Sequence, residues 1–404
     1  MNIHKRALTA KAFCIICMIV SFFLSCARIL HREAGGPKES MYRVVFSNPS
    51  YQDDMDPSSL LLAIERNESY LRRLDKDLIF SYGPDSVTAE RLLRTMTAFK
   101  TLLKKGLTPE ELSGKIKEDF VIYKAAGRAV ARSVLFTGYY EPILEGSFEP
   151  DSVFRYPIYG KPNDLITIDL SVFKDKFAGE KIAARIEGER VVPYFTRAQI
   201  DTEGLLSGRA SPIAWLNDPV DVAFLQIQGS GMIRLRDGNT LKVGYQASNG
   251  RPYRSIGRYL IQEGYLTLEA MSMQAIRRCL AEHPDIVQDT LNYNESYVFF
   301  RVIDDGPLGS LDVPLTPGRS IALDQSLFPK AALCFMKARK PAPGSKEDSI
   351  DWIPFSRFVL NQDTGGAIKG TGRADLFWGN GPYAELAAGH MRQDGELFFI
   401  LLNK

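Results

Sequence analysis

Short runs of β-branched and aromatic residues, separated by loops rich in glycine and proline, recur in the chain from about residue 133 to its end, except in Pro252–Glu282. Such runs are typical of strands in half-buried sheets. In the first part of this region we predict strands at Ser133–Pro142, Phe154–Tyr159, Val191–Phe195, Ala223–Gln228, Met232–Leu235 and Leu241–Tyr245. Toward the C-terminus we predict them at Tyr297–Ile303, Arg319–Leu323, Ala331–Met336, Arg357–Leu360 and Glu396–Leu402. Short strands at this spacing favour a small barrel, in a protein that is mainly β with helices.

Two segments have helical rather than strand periodicity. Before residue 133, apolar residues recur three and four positions apart, at Leu60, Leu61, Ile64, Leu71 and Leu74 and again at Leu92, Leu93, Met96 and Leu102. The capping box Thr108-Pro109-Glu110-Glu111 predicts the start of another helix. Pro252–Glu282 returns to helical spacing. None of these patterns carries chemistry, and we interpret them as scaffold.

The N-terminus predicts export. Lys5, Arg6 and Lys11 precede an apolar run of thirteen residues, Ala12–Leu24, whereas a bilayer-spanning helix needs about 20. This is the pattern of a secretory signal peptide, here residues 1–25. The run ends in Phe-Leu-Ser-Cys, which resembles a bacterial lipoprotein processing site and predicts a lipid on Cys26. Ordinary signal cleavage with an incidental Cys26 is the alternative.

Cleavage before Cys26 leaves 404 − 25 = 379 residues and changes the formal net charge from +2 to 2 − 3 = −1. A nearly neutral chain gives no electrostatic reason to expect nucleic-acid binding. Cys279 and Cys334 could form a disulfide or remain buried thiols. His31, His283 and His390 are too far apart for metal-ligand spacing, so we predict no metal and no cofactor.

The stretch Gln362–Gly381 combines six glycines with two aspartates. Its glycines do not form a phosphate-binding loop, because Lys369 precedes its glycine and no dinucleotide fingerprint is present. A nucleophilic triad would need a histidine base, and His390, the only plausible one, is interpreted as structural. The remaining candidates for chemistry are carboxylates.

Three aspartates are the candidates: Asp324 ends one predicted strand, Asp363 follows another, and Asp375 adjoins no predicted strand. Asp324 and Asp363 have a structural alternative, since each can accept hydrogen bonds from the backbone amides that follow it. Asp375, in the glycine-rich loop, precedes Leu376-Phe377-Trp378, and apolar surroundings raise a carboxyl pKa as a general acid requires. Trp378 offers a face on which a sugar could stack, although a core position is the commoner role of tryptophan.

Amide, hydroxyl and aromatic groups, with the carboxyl of Glu141, occur in two further motifs. Phe136–Pro142 contributes Thr137, Tyr139, Tyr140 and Glu141, and Leu225–Gly231 contributes Gln226, Gln228, Gly229 and Ser230. Such groups suit sugar hydroxyl and acetamido recognition, while cross-strand pairing is the alternative. The residues alone therefore predict an exported, β-rich protein with a carboxylate site for a neutral polar ligand, for which a glycan is the natural candidate.

Six motifs in order resemble those of the membrane-bound lytic transglycosylase A (MltA) family. They are FTGYYEP, QIQGSG, Tyr245–Tyr253, Met271–Arg277, Val313–Asp324, and QDTGGAIKG with RADLFWG. The resemblance runs from about Leu135 to the C-terminus, and its last part is similar to the 3D domain, named for three aspartates that here match Asp324, Asp363 and Asp375.

The resemblance implies a double-psi β-barrel domain, a second β-domain inserted into it, and a glycan groove between them. With it we divide the chain into a signal peptide (1–25), a lipid-anchored tether (26–51) and an N-terminal helical region (52–132). An inserted β-domain (133–285) and a 3D barrel domain (286–404) follow, with the strand near 133–141 completing the barrel.

The activity implied is that of a peptidoglycan lyase of the lytic exotransglycosylase type. It cleaves the β-1,4 bond between N-acetylmuramic acid and N-acetylglucosamine without water and leaves 1,6-anhydromuramoyl ends. Asp375 matches the catalytic acid/base, with Asp363 and Asp324 in support. To the predicted glycan-binding residues we add Gly366, Lys369 and Trp378. The implied location is the periplasmic face of the outer membrane of a Gram-negative bacterium, held by the lipid anchor, with peptidoglycan strands as partner.

Two alternatives stay open at this point. One is a glycoside hydrolase with two carboxylates, in which Asp363 or Asp324 activates water. The other is a lipoprotein that binds peptidoglycan without cutting it.

Overall fold

The protein is described from a computed structural model, which covers residues 36–45, 49–128, 132–177 and 179–403. The predicted signal peptide, Cys26 and His31 lie outside these ranges. The α-helices of the described residues are α1 (Pro57–Leu71), α2 (Ala89–Leu103), α3 (Pro109–Asp119), α4 (Arg197–Asp201), α5 (Pro219–Gln228), α6 (Ile256–Gln262), α7 (Met273–Glu282), α8 (Val287–Tyr293) and α9 (Pro382–His390). Short 3-10 helices occur at Pro37–Glu39, Leu170–Val172, Asp175–Phe177 and Pro284–Ile286.

The strands of the described residues fall into an N-terminal, a central and a C-terminal group. The N-terminal strands are β1 (Met41–Arg43), β2 (Ile79–Tyr82), β3 (Asp85–Thr88), β4 (Phe120–Ala125) and β5 (Val134–Tyr139). The central strands are β6 (Ile143–Ser147), β7 (Tyr156–Tyr159), β8 (Ile166–Asp169), β9 (Lys181–Glu187), β10 (Arg190–Pro193), β11 (Pro212–Leu216), β12 (Ser230–Leu235), β13 (Thr240–Ser248) and β14 (Val298–Val302). The C-terminal strands are β15 (Ser320–Ala322), β16 (Leu333–Pro341), β17 (Trp352–Asp363), β18 (Arg373–Phe377) and β19 (Arg392–Leu402).

The C-terminal strands close into a barrel. Its strand order is β19-β16-β17-β15-β18-β5, and β5 pairs again with β19 to complete the ring. β15 runs parallel to β17 and β18 parallel to β5, while the other neighbours in the ring are antiparallel. β5 comes from far upstream in the chain, so the barrel closes only when residues on both sides of the central strands meet. A closed sheet leaves no free edge in this ring.

The central strands form a separate sheet. Its order is β14-β13-β12-β6-β11-β7. Strands β8, β9 and β10, which lie between β7 and β11 in the sequence, form a smaller sheet of order β10-β9-β8. This region has apolar clusters of its own: one joins the sheet to α5 and another joins α5 to α6, α7 and α8. The central strands thus form a second β-rich region with its own cores. Its strands do not follow the predicted bounds 133–285, because β14 belongs to this sheet and β5 belongs to the barrel.

The N-terminal helices pack against the barrel. α1 contacts α2 and β17, and α2 contacts β19. The link to β17 is polar as well as apolar, because Gln362 donates to the carbonyl of Ala63 (3.0 Å) and to the side chain of Asn67 (3.0 Å). Asn67 in turn donates to the carbonyl of Ala331 (2.8 Å). These helices thus support the strand that ends at Asp363, in line with the predicted scaffold role.

One predicted strand is wrong. Ala223–Gln228 belongs to helix α5, which begins after an Asp218 N-cap with Pro219 in its first turn and ends at Gly229, in a left-handed conformation with φ 80°. The helix lacks a polar stripe because Val222 and Leu225 face one apolar cluster while Ala223 and Phe224 face another. A helix buried on several sides loses the 3.6-residue pattern and can be mistaken for a buried strand.

The folded part begins before the predicted end of the tether. β1 pairs with β4, and Tyr51, with 1% of its surface exposed, stacks on Phe358 with ring centroids 5.8 Å apart. Cys279 and Cys334 are both buried and free. None of the helices in the described ranges is both long and apolar enough to cross a membrane.

Candidate functional site

The three aspartates gather around the end of β15, the short strand between β17 and β18. Ala322 lies opposite Asp363 of β17 on one side and opposite Asp375 of β18 on the other. Asp324 follows on the same chain segment as Ala322. Asp324 and Asp363 are 39 positions apart in the sequence, and Asp363 and Asp375 are 12 apart. They converge because β17, β15 and β18 lie side by side in the sheet.

Asp375 lies within strand β18, not in a glycine-rich loop as the sequence suggested. It pairs with Thr137 of β5, whose hydroxyl donates to Oδ1 of Asp375 at 2.6 Å. Burial raises the pKa of Asp375 to about 6, the nearby Asp363 adds to this rise, and Thr137 and Arg373 oppose it. Oδ2 has no hydrogen-bond partner among the described residues, so this oxygen is available to a ligand.

Asp363 is tied on both oxygens. The hydroxyl of Tyr139 donates to Oδ2 (2.8 Å) and the amide of Ser310 donates to Oδ1 (3.0 Å). Burial raises its pKa to about 6, although the Tyr139 hydroxyl and the backbone amides of Thr364 and Ser310 favour the ionised form. The backbone amides agree with the structural alternative from the sequence, and the Tyr139 bond adds a link to β5.

Asp324 fixes the loop that follows β17. Its Oδ1 accepts from the amide (3.1 Å) and hydroxyl (2.6 Å) of Ser326, and its Oδ2 accepts from the amide of Gly370 (2.9 Å). Burial acts to raise its pKa, but these hydrogen bonds and the charge of Lys369 outweigh burial, and the pKa is lowered. Asp324 is therefore an ionised anchor for the glycine-rich segment.

A cavity of about 770 Å³ lies between the barrel and the central sheet. Of the predicted glycan-binding residues, it is lined by Tyr139, Gln226, Gln228, Gly229, Ser230, Gly366 and Lys369, together with Asp363. Asp375 is not one of the residues that line the cavity. It interacts electrostatically with Tyr139 and Tyr253, both of which line the cavity. Such a concave, mixed polar and aromatic surface suits a sugar chain.

The other predicted binding residues do not line the cavity. Tyr140 is buried, its amide donating to Gln228 (3.0 Å) and its hydroxyl to Glu385 (3.3 Å). Glu141 is 3% exposed and accepts from Asn380 (3.2 Å). Trp378 is 9% exposed and packs against Phe355 and Tyr383, so its ring offers no free face for a sugar. Thr137 acts through Asp375 instead.

Several lining residues were not singled out as site residues from the sequence. Tyr245, Arg251 and Tyr253 come from the motif that we used only for the family resemblance, and Ser310 comes from a loop without a motif. Exposed aromatic and basic residues around Asn249-Gly250 were the available signal. No cluster of three or more His, Cys, Asp or Glu side chains suited to a metal occurs in the described ranges.

Comparison with known proteins gives two family matches along the chain. Residues 135–301 match the MltA specific insert domain, and residues 319–401 match the 3D domain. A membrane-bound lytic murein transglycosylase A of Vibrio cholerae is 32% identical over 274 residues, which cover 66% of this chain and 65% of that protein. The chain thus spans slightly less than two thirds of this relative.

Solved structures extend the likeness. A membrane-bound lytic murein transglycosylase from Agrobacterium tumefaciens superposes with a TM-score of 0.73 at 33% identity, covering 90% of this chain and 98% of that one. MltA from Escherichia coli, solved with bound chitohexaose, gives a TM-score of 0.67 at 23% identity, covering 92% and 98% of the two chains. At that identity the second likeness shows the fold alone.

Proposed function

This chain belongs to the MltA family, and we propose that it is a lytic transglycosylase that cleaves the bond between N-acetylmuramic acid and N-acetylglucosamine in peptidoglycan, leaving 1,6-anhydromuramoyl ends. The cavity between the barrel and the central sheet is the proposed glycan groove. The chitohexaose bound to the Escherichia coli protein of the same fold supports a sugar chain as its occupant.

Asp375 is the proposed acid and base. With a pKa raised to about 6, it holds a proton in mildly acidic solution and can give it to the departing glycosidic oxygen. The carboxylate then takes the proton of the muramoyl 6-hydroxyl, which attacks the anomeric carbon of its own sugar. Attack within one sugar ring has a large effective-molarity advantage over attack by water.

The observation that carries this proposal is the unequal state of the two buried aspartates. Asp375 has one oxygen held by Thr137 and the other without a partner among the described residues, whereas Asp363 accepts hydrogen bonds on both oxygens. A two-carboxylate hydrolase needs a second group that is free to activate water or to attack carbon. One free carboxyl suits a reaction in which the substrate supplies the nucleophile.

The family's relatives are named membrane-bound. For this chain we infer anchoring by a lipid on Cys26, at the periplasmic face of the outer membrane, with the segment that follows as a tether. We also infer a division into N-terminal helices, an inserted β-domain and a 3D barrel, with the groove between the last two. The insert extends to β14, past the boundary at residue 285 that the sequence suggested.

The test is digestion of purified murein by the wild type and by Asp375→Asn, with mass analysis of the products. We expect wild-type products with 1,6-anhydromuramoyl ends and a loss of about 10²- to 10⁴-fold in rate for the variant, with binding to murein retained. Products heavier by one water, with reducible ends, contradict the transglycosylase proposal.

Asp363→Asn serves as the matched comparison. Because Asp363 is engaged by Tyr139 and Ser310, we expect Asp363→Asn to lose clearly less activity than Asp375→Asn. Equal damage from both substitutions, with hydrolytic products, favours the hydrolase. Equally poor digestion by wild type and both variants, with binding intact, favours a peptidoglycan-binding protein.

A further inference from the structure

A second, smaller cavity adjoins the groove. It has a volume of about 290 Å³, and its wall includes Arg128, Leu135, Lys369, Gly370 and Arg373. Lys369 lines both this cavity and the groove, so the two spaces meet at its side chain. The reaction proposed above makes no use of this space. We call it the basic pocket, after Arg128, Lys369 and Arg373.

Arg373 connects the basic pocket to the reacting carboxyl. It precedes Asp375 by two positions in β18, and side chains two apart in a strand lie on the same face, about 7 Å from each other. The Nε of Arg373 is buried and has no hydrogen-bond acceptor among the described residues. A buried donor without an acceptor is costly, so this guanidinium is suited to receive an acceptor from a ligand.

The acidic groups nearby interact with Lys369 and Arg373 through space, since these two charges lower the pKa values of Asp324 and Asp375, but in the described part of the chain they form no direct ion pair with them. Arg128 is ion-paired with Asp394, and both oxygens of Asp324 are engaged by Ser326 and Gly370. In the described part of the chain, no carboxylate oxygen lies within 4.0 Å of a side-chain nitrogen of Lys369 or Arg373. Two cations without a contact partner thus flank one small space.

We propose that the basic pocket binds a carboxylate carried by the 3-O-lactyl substituent of the muramoyl residue whose bond is cut. This inference rests on the proposed function. N-acetylglucosamine units are uncharged, so the lactyl group and the peptide attached to it are the carboxylate-bearing parts of a glycan strand. The reacting sugar must place its anomeric carbon at Asp375, and its own substituent then lies within reach of Arg373 on the same strand face. Lys369, at the junction with the groove, completes the pair of donors.

Two sources of the carboxylate share this chemistry. In strands stripped of peptide the lactyl group ends in a free carboxylate, whereas in intact murein the lactyl group is an amide and the carboxylates belong to the peptide. The experiment therefore compares three substrates of one origin: peptide-bearing strands, peptide-free strands, and peptide-free strands whose lactyl carboxylates have been converted to neutral amides. KM and kcat for release of anhydromuramoyl products are measured for each.

We expect the wild type to show a KM about tenfold lower for at least one carboxylate-bearing strand than for the amidated strand. Preference for the free lactyl strand identifies the lactyl carboxylate, and preference only for the peptide-bearing strand identifies the peptide. Lys369→Met should remove most of this KM difference between the carboxylate-bearing and the amidated strands, whatever its effect on the absolute KM. Arg373→Gln should also remove it, and the ratio between substrates cancels any effect of this substitution on Asp375.

Lys105→Met, an exposed lysine in the loop after α2, is the matched control and should keep the wild-type ratio. Equal KM values for all three substrates in the wild type overturn the inference, as does a preference that persists in both pocket variants. In both cases anhydromuramoyl products still form, so the proposed function stands. If no substrate yields such products, the proposed function fails and this inference fails with it.

Discussion

Asp363 and Asp375 lie in one row across the barrel, each directly opposite Ala322 of the short strand between them. Two strand spacings separate their Cα atoms by about 10 Å. Each carboxyl accepts a hydrogen bond from β5, from Tyr139 and Thr137 respectively. The two groups are therefore held by the same strand, and the charge of Asp363 raises the pKa of Asp375. Substitutions of Thr137 and of Asp363 are consequently expected to shift the pKa of Asp375 in opposite directions.

Removing the hydroxyl that binds Asp375 should raise its pKa. The Thr137 hydrogen bond favours the ionised carboxylate, so Thr137→Val, which keeps the shape of the side chain, removes an effect that lowers the pKa. If protonated Asp375 is the acid, kcat falls as pH rises through about 6 in the wild type. We expect this fall at a pH higher by about 0.5 to 1 in the variant.

The measurement is the pH dependence of kcat on murein. An unchanged position of the alkaline limb, or a move to lower pH, contradicts the assignment of this limb to Asp375. Binding of murein should change little, because the Thr137 side chain contacts Asp375 rather than the groove.

Removing the charge of Asp363 should lower the pH at which kcat falls, the opposite of the effect expected for Thr137→Val. Ionised Asp363 raises the pKa of Asp375, and Asp363→Asn is neutral at every pH, so the fall in kcat is expected at lower pH than in the wild type. Asn keeps only one acceptor oxygen, so either the Tyr139 hydroxyl or the Ser310 amide loses its acceptor, which should cost about 1–3 kcal/mol of stability. Asp304→Asn, on an exposed loop, should leave the profile in place. A shift in the same direction as Thr137→Val would contradict the coupling.

The barrel strands were readable from the sequence because each carries its own pattern. Leu333–Pro341 and Arg392–Leu402 are rich in apolar and aromatic residues and contain the predicted strands at these places. Strand β18 was not predicted, because it has only five residues, Arg373–Phe377, between glycine-rich turns. Helix α5 was wrongly predicted as a strand, because it is buried on several sides and lacks a polar face. Asp218-Pro219 and Gly229 did mark its ends.

The site itself could be predicted only in part. The aspartates were identifiable as candidates, but the partners that distinguish them come from distant parts of the chain. Thr137 and Asp375 are 238 positions apart, and Tyr139 and Asp363 are 224 apart. Strand pairing across such distances follows from the closure of the barrel, and no local spacing encodes it. The basic pocket depends on the same closure, since Leu135 pairs with Arg373.

The raised pKa of Asp375 should make its carboxyl a source of instability at neutral pH. A carboxyl with an ordinary pKa of 3.8 that rises to about 6 on folding binds its proton more tightly in the folded chain. Between about pH 4 and 6 the carboxyl of Asp375 is ionised in the unfolded chain but still protonated in the folded chain. The free energy of unfolding therefore decreases as pH rises through this range. Asp375→Asn has no such titration and should be more stable than the wild type by about 1–3 kcal/mol at pH 7.5.

Urea unfolding at pH 4, 5, 6 and 7.5 measures this difference. We expect the gain of Asp375→Asn to shrink toward zero below pH 4, where both states of the wild type are protonated. A gain of the same size at every pH points to a cause other than the titration of Asp375.

The segment before α1 should be essential to the barrel. Arg319, with none of its surface exposed, donates to Asp53 (2.6 Å), to the Ser59 hydroxyl (2.9 Å) and to the carbonyl of Phe358 (2.9 Å). Asp53→Ala leaves this guanidinium without its counter-charge and should lower the free energy of unfolding by about 3–5 kcal/mol. Glu118→Ala breaks the exposed pair with Lys115 and should cost less than about 1 kcal/mol. Similar costs for the two substitutions would contradict a buried role for Arg319.

Gly138 should be the least replaceable residue of β5, because it lies between the two residues that hold the aspartates. A Cβ at this position would stand 2.6 Å from Nε1 of Trp378 and 2.9 Å from Cα of Ala388. Gly138→Ala must therefore push β5 away from Trp378 or α9, at a cost of about 1–3 kcal/mol. Since Thr137 and Tyr139 move with the strand, kcat should fall more than KM rises.

Gly114→Ala, in α3 with no atom within 4 Å, should instead stabilise the protein by about 0.5–1 kcal/mol. Thermal unfolding together with murein digestion separates the two effects, and a Gly138→Ala enzyme with wild-type kcat would show that the strand has room to adjust without disturbing Asp375.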